Sequence, residues 1–248
     1  ASNARMTDVD IEMTDVDIDG GRSISIRERT ISHKEKKNGI YQREGPRSGD
    51  VKQMSNSMKG YWINHVIDIK DPERFGAYAE ASMPMFQGDN QYGAKILLFG
   101  PVAATVLGNP VQYAAVAEFD SVQAAIEFWD DPDYAAARAL MGPLDDESAV
   151  VDRRVCCIEG EPLTVSQNQG FWLNHVHDII DEAAFWRYAE ASMPHFTNTT
   201  FGTVVHQHAG EQNIQLAAAL GFDSISKAME IYHSPEYIAA LAAGGMEG

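Results

Sequence analysis

Apolar and polar residues alternate along "YWINHVIDI" (61–69), a stretch rich in β-branched and aromatic side chains, and this period of two predicts a strand. Asp71 followed by Pro72 reads as an N-cap with proline at the first helical position. The helix it opens places Phe75, Tyr78, Ala79 and Ser82 on one face, and Pro84 ends it. Two further strands, "GAKILLF" and "VQYAAVAEF", are joined through "GPVAATVLGNP", where glycine and proline punctuate the connection. A second helix over "DSVQAAIEFWDDPDYAAARALM" restarts at Asp131-Pro132, and "SAVVDRRVCCIEG" supplies a fourth strand. The result is a βαββαβ unit over residues 58–160.

The pattern then recurs. Aligned without gaps, the 26 residues from Tyr61 and the 26 from Phe171 are identical at 16 positions. After a short polar linker (161–169), residues 170–248 give strand, helix, strand, strand and a helix that restarts at Ser234-Pro235. They stop at "GGMEG" with no fourth strand, for which truncation is the simplest reason. The fold class is α+β: each unit forms a four-stranded antiparallel sheet with both helices on one face. The uncovered face of each sheet is apolar, so two copies in one chain bury it by packing sheet to sheet, as a pseudo-dimer. Strand 1 of the second unit is left as an open edge, which sheets avoid. Either "RSISIRERTI" (22–31) fills it or a neighbouring chain does, making a homo-oligomer.

Composition narrows the functions. Residues 1–57 hold ten basic and ten acidic groups and few large apolar residues, so they are expected to remain a mostly disordered arm. The opening "ASNA" reads as a remnant of tag removal, and Met54 and Met58 stand as candidate natural starts. The whole net charge of −17 therefore lies on the two repeats. Such a surface repels phosphate backbones and anionic lipid, which argues against nucleic-acid and membrane roles. No run reaches the roughly 18 to 20 apolar residues of a bilayer span, and no secretory signal opens the chain, so a cytoplasmic protein is expected. Cys156 and Cys157 are adjacent and would point to opposite faces of a strand, reading as small buried hydrophobes rather than a disulfide.

The stretches "KGYWINHVIDIKDPERFGAYAEA", "FDSVQAAIEFWDDPDYAAARAL" and "VDRRVCCIEG" resemble the domain of unknown function 1330, within the dimeric α/β-barrel (ferredoxin-like) superfamily. The resemblance implies the ferredoxin-like strand order 4-1-3-2 in each sheet and a barrel-like interface with a small-molecule cavity between the sheets. Superfamily relatives include cofactor-free monooxygenases, lactone isomerases and haem enzymes, so fold alone leaves the chemistry open.

The candidate chemistry lies in histidines. Six of the eight fall in the second repeat and one in the first. Matching the copies pairs His65 with His175, Ile67 with His177, Met85 with His195, Leu97 with His206 and Phe99 with His208. Residues two apart on a strand share a face, so His175 and His177 point one way, as do His206 and His208. If both pairs face the cavity, they make a workable chelate for a divalent transition metal. Alternatively they line a metal-free polar pocket, or serve structure alone. An enzyme reading uses His175 as acid or base, His195 to orient substrate at the rim, and Glu190 as base, for oxygenation or isomerisation. The alternative is a non-catalytic ligand-binding or assembly protein.

Overall fold

A computed structural model describes residues 9–15, 58–143, 149–210 and 213–245. The first repeat comprises β2 (Lys59–Ile69), α1 (Pro72–Ser82), β3 (Lys95–Leu107), β4 (Tyr113–Phe119), α2 (Val122–Trp129), α3 (Pro132–Ala139) and β5 (Val151–Gly160). The second comprises β6 (Gly170–Val176), α4 (Glu182–Ser192), β7 (Asn198–Ala209), β8 (Leu216–Phe222), α5 (Ile225–Tyr232) and α6 (Pro235–Ala243). The expected caps set the helix starts. Asp71 accepts from the Arg74 amide, Asp131 from those of Asp133 and Tyr134, Asp181 from Ala184 and Ser234 from Tyr237. Within the first repeat the strand order is β5-β2-β4-β3, the expected 4-1-3-2.

The arm contributes β1 (Val9–Asp15), paired antiparallel with β6 on one side and β3 on the other. This seven-residue strand occupies the fourth-strand position in the sheet of the second repeat, giving β1-β6-β8-β7. The expectation that the arm is disordered therefore fails over residues 9–15. "RSISIRERTI", the segment expected at this edge, lies outside the described residues.

Pairing registers show how closely β1 imitates β5. Val66 faces Arg153, Asn64 faces Val155 and Trp62 faces Cys157 across β2 and β5; Val176 faces Val9, Asn174 faces Ile11 and Trp172 faces Met13 across β6 and β1. The outer edges correspond as well. Val155, Cys156, Cys157 and Ile158 pair with Ala209, Gln207, His206 and Val204, while Ile11, Glu12, Met13 and Thr14 pair with Leu107, Thr105, Ala104 and Val102. Each repeat's fourth strand thus adds to the other repeat's second strand, and the eight strands close into a barrel, β1-β3-β4-β2-β5-β7-β8-β6.

Closure fixes the two faces of the wall. Inside, Tyr61, Ile63, Leu98, Val116, Cys156 and Ile158 meet Phe171, Leu173, Ala217 and Ala219 in one packed core. The linker is more than a tether, since Leu163 and Val165 are buried in that core and the Leu163 amide donates to the Tyr61 hydroxyl at 2.8 Å. Outside, each helix pair covers its own sheet around a tryptophan: Trp62 among Phe86, Phe119, Phe128 and Tyr134, and Trp172 among Phe222, Tyr232 and Tyr237. Cys156 faces in and Cys157 faces out, both as free thiols. Burial pushes the Cys157 thiol up to about 12 and Cys156 higher still, so both are inert packing groups. Gly60 and Gly170 open the two first strands where a Cβ would fall 2.3 Å from the Ser121 carbonyl oxygen and 2.5 Å from the Ile225 amide nitrogen, so only glycine lets helix start and strand meet.

Closure by β1 has a direct test. Deleting residues 1–15 bares the edges of β3 and β6, and the shortened chain is expected to self-associate in size-exclusion chromatography. Glu12→Pro removes one ladder donor from a strand paired on both sides and is expected to lower unfolding stability by at least about 1 kcal/mol. A monomer of unchanged melting temperature in both variants would contradict the pairing.

Candidate functional site

The histidines of the two "NHV" stretches meet at the centre of the barrel. His65 and His175 are fully buried and stack face to face, with ring centroids 3.7 Å apart and planes inclined by 19°. His175 Nε2 lies 3.4 Å from Cys156 Sγ and 3.3 Å from the Ile63 carbonyl oxygen. Burial, and then the neighbouring His175, Arg154 and His177, hold the His65 imidazole well below its ordinary pKa, so it stays neutral. His177, two residues on, shares this inner face; its Nδ1 is 2.9 Å from Asn213 Oδ1 and its Nε2 3.3 Å from an Arg154 Nη1.

His206 and His208 lie on the opposite side of the wall. His208 stacks on Trp129 of α2, with centroids 4.4 Å apart and planes at 18°, and sits 4.5 Å from His206, which is exposed. Two irregularities in the β5–β7 pairing put Val204 against the inner core and the following histidines against the helix layer. The expected convergence of four imidazoles is therefore not made. Among the described residues, no group of three or more His, Cys, Asp or Glu is placed to hold a metal ion.

The matching of copies is also corrected. Phe201 faces Ala218 as Phe99 faces Ala115, and the barrel seams pair His206 in the position of Ala104. By the same register His208 answers to Val106, which packs under the helices of the second repeat as His208 does under those of the first. Burial first, then His206 and the guanidiniums of Arg138 and Arg153, push the His208 pKa down to about 3.

Two cavities occupy equivalent places between the first helix of each repeat and the outer wall of its sheet, not the space between the sheets. The one under α4 encloses about 630 Å³ and the one under α1 about 150 Å³. The face expected of α1, namely Phe75, Tyr78, Ala79 and Ser82, lines the smaller cavity. Its counterparts Phe185, Tyr188, Ala189 and Ser192 line the larger, together with Trp186, Phe196 and Phe201. In both, the helix tyrosine is hydrogen-bonded to a tyrosine of the last helix: Tyr78 to Tyr134 at 2.9 Å and Tyr188 to Tyr237 at 2.7 Å.

Arg153 lines the smaller cavity from β5, and the residue in register with it on β1 is Val9. Of the expected catalytic residues, Glu190 lines the larger cavity, His195 lies beyond it with its ring 6.3 Å from Tyr237, and His175 is on the far side of the sheet. Sequence reasoning missed Asn174, whose buried Oδ1 has no hydrogen-bond partner and whose side chain lines the larger cavity. The signal was available in the Asn that precedes His in both "NHV" stretches.

The model of the family described as "Domain of unknown function (DUF1330)" matches residues 59–153 and again 169–244. No curated protein matches the chain. Among solved structures, a candidate monooxygenase from Lactobacillus acidophilus NCFM aligns over 75% of this chain and 87% of its own, with 13% identity and a TM-score of 0.43. A protein of unknown function from Rhodopseudomonas palustris aligns over 44% and 85%, with 24% identity and a TM-score of 0.33. An anthrone oxidase-like protein aligns over 77% and 86%, with 10% identity and a TM-score of 0.46.

The placement of the histidines yields opposite expectations for two substitutions. His206→Leu, at an exposed position, is expected to change unfolding stability by less than about 0.5 kcal/mol. His208→Val copies Val106 and removes a group that is neutral when folded but takes up a proton when unfolded. Because the folded pKa is the lower one, this group's contribution is intact above about pH 6.5 and is lost as pH falls toward about 3. The variant should therefore show a shallower fall in stability over that range in acid titrations of denaturant unfolding, and an unchanged slope would contradict the burial of His208.

Proposed function

The chain belongs to the DUF1330 family, with one copy in each repeat, and we propose that it binds a small, largely apolar organic molecule in the cavity under α4. The observation that carries this reading is the unpartnered Asn174 Oδ1 on the wall of a 630 Å³ cavity. A buried acceptor without a donor costs free energy that a bound hydroxyl or amide N–H would recover. The volume lies within the roughly 300 to 1,000 Å³ usual for small-molecule pockets. Around the acceptor, Phe185, Trp186, Tyr188, Met193, Phe196 and Phe201 offer flat apolar surface, so the fitting ligand is an aromatic body bearing one hydrogen-bond donor.

A catalytic reading has one observation in its favour. Glu190, exposed on α4, is the one carboxylate among the described lining residues, placed to act on a bound molecule as a base. His175, His177, His206 and His208 take no part in this reading, since none of them lines the cavity.

Trp186 lines the cavity and is half-exposed, so its fluorescence reports occupancy. In titrations, 2-naphthol is expected to bind more tightly than 2-methoxynaphthalene by roughly fivefold, the worth of one hydrogen bond of about 1 kcal/mol. Asn174→Leu should remove that preference while retaining the apolar affinity. Absence of binding by both probes, or a preference that survives in Asn174→Leu, would overturn the proposal.

A further inference from the structure

The cavity under α1 differs from its twin in one respect that changes its chemistry: it holds a buried positive charge. Arg153 is buried, 2% exposed, on the outer face of β5. Its Nη1 donates to the Tyr78 hydroxyl at 3.2 Å, the Tyr134 hydroxyl is a second polar neighbour, and its guanidinium carbon lies 5.2 Å and 5.5 Å from the ring centroids of Tyr78 and Trp129. Nε and Nη2 have no hydrogen-bond partner. Among the described residues no carboxylate pairs with it; the ion pairs of this repeat join Lys59 to Asp120 and Lys95 to Glu118. A buried guanidinium with two unfilled donors is costly, and an anion bound beside it would offset that cost.

The rest of the lining selects the kind of anion. Trp62 Nε1 is a second buried donor without a partner, and Asn64 Oδ1 an acceptor without one. Apart from the hydroxyls of Ser82, Tyr78 and Tyr134, the remaining wall, including Phe75, Met83, Phe86 and Phe99, is apolar. A multiply charged phosphate or dicarboxylate would leave charge against that wall. A planar monocarboxylate places its two oxygens on the guanidinium fork and its apolar body against the aromatic rings. A cavity of about 150 Å³ holds a molecule about the size of benzene.

We propose that the cavity under α1 is a binding site for a small aromatic or similarly flat monocarboxylate, held through Arg153. The site is separate from the one under α4, where Val9 stands in register with Arg153 and no basic residue is among the described lining residues. Asn64 Oδ1 further favours an acid that carries a ring hydroxyl.

Calorimetric titration with benzoate and with its neutral isostere benzamide tests the proposal on the full chain. Benzoate is expected to bind at least about tenfold more tightly than benzamide, because only the carboxylate completes a charged hydrogen-bond pair. Arg153→Met should abolish that preference. Should Arg153→Met fail to fold, Ala79→Leu, which fills the cavity from α1 and leaves the arginine in place, should remove benzoate binding. Ala189→Phe, which fills the cavity under α4, should leave benzoate binding unchanged. No binding of benzoate, equal binding of benzamide, benzoate affinity retained in Arg153→Met or Ala79→Leu, or its loss in Ala189→Phe would each overturn the assignment.

Discussion

A four-stranded antiparallel sheet has two edges full of unpaired amides and carbonyls, and everything else in this molecule follows from how those edges are satisfied. Each repeat offers its fourth strand to the second strand of the other, β5 to β7 and β1 to β3, and the ring of eight strands leaves no edge open. The seam decides which face of every strand looks inward. It carries Tyr61, Ile63 and Cys156 together with Phe171 and Leu173 into a single core and sends Trp62, Trp172 and Cys157 outward beneath the helices. With the interior filled, the room for a ligand lies between helix and wall.

The two repeats then diverge at matched positions. Asn64 and Asn174, Tyr78 and Tyr188, Tyr134 and Tyr237 repeat one frame, in which paired tyrosine hydroxyls fasten the first helix to the last. Onto that frame the first repeat places Arg153 and a small cavity, while the second has Val9 in the same register and a larger, aromatic one. The duplicated frame thus carries two unlike cavities in one barrel, one with a buried guanidinium on its wall and one lined mainly by aromatic side chains. The stacked His65 and His175 mark where the two copies meet, buried by the same closure.

Much of this frame was legible in the sequence because it is local. Period-two strands, the Asp-Pro and Ser-Pro caps and the repeat itself are read from short stretches of the chain, and the structure has them where the patterns place them. The edge strand was missed: Val9, Ile11 and Met13 alternate with polar residues, but so short an alternation with three acidic residues does not stand out within a charged arm. Its pairing is decided by two distant edges that need a partner, not by its own composition. The histidine pairs misled for a related reason. His206 and His208 look like the continuation of an alternating inner face, yet the irregular pairing of β5 and β7 shifts them outward, and their counterparts are Ala104 and Val106. Arg153 stands next to Arg154 in β5, and which of the two faces the helices depends on the register of the strand beside it.

Native-state amide hydrogen exchange tests the closure most directly. If β1 seals the barrel, the paired amides of residues 9–15 exchange as slowly as those of β6, through the same global opening. Exchange in that segment at the rate of an unstructured peptide, with β6 still protected, would mean that the second repeat keeps an open edge and would contradict the account.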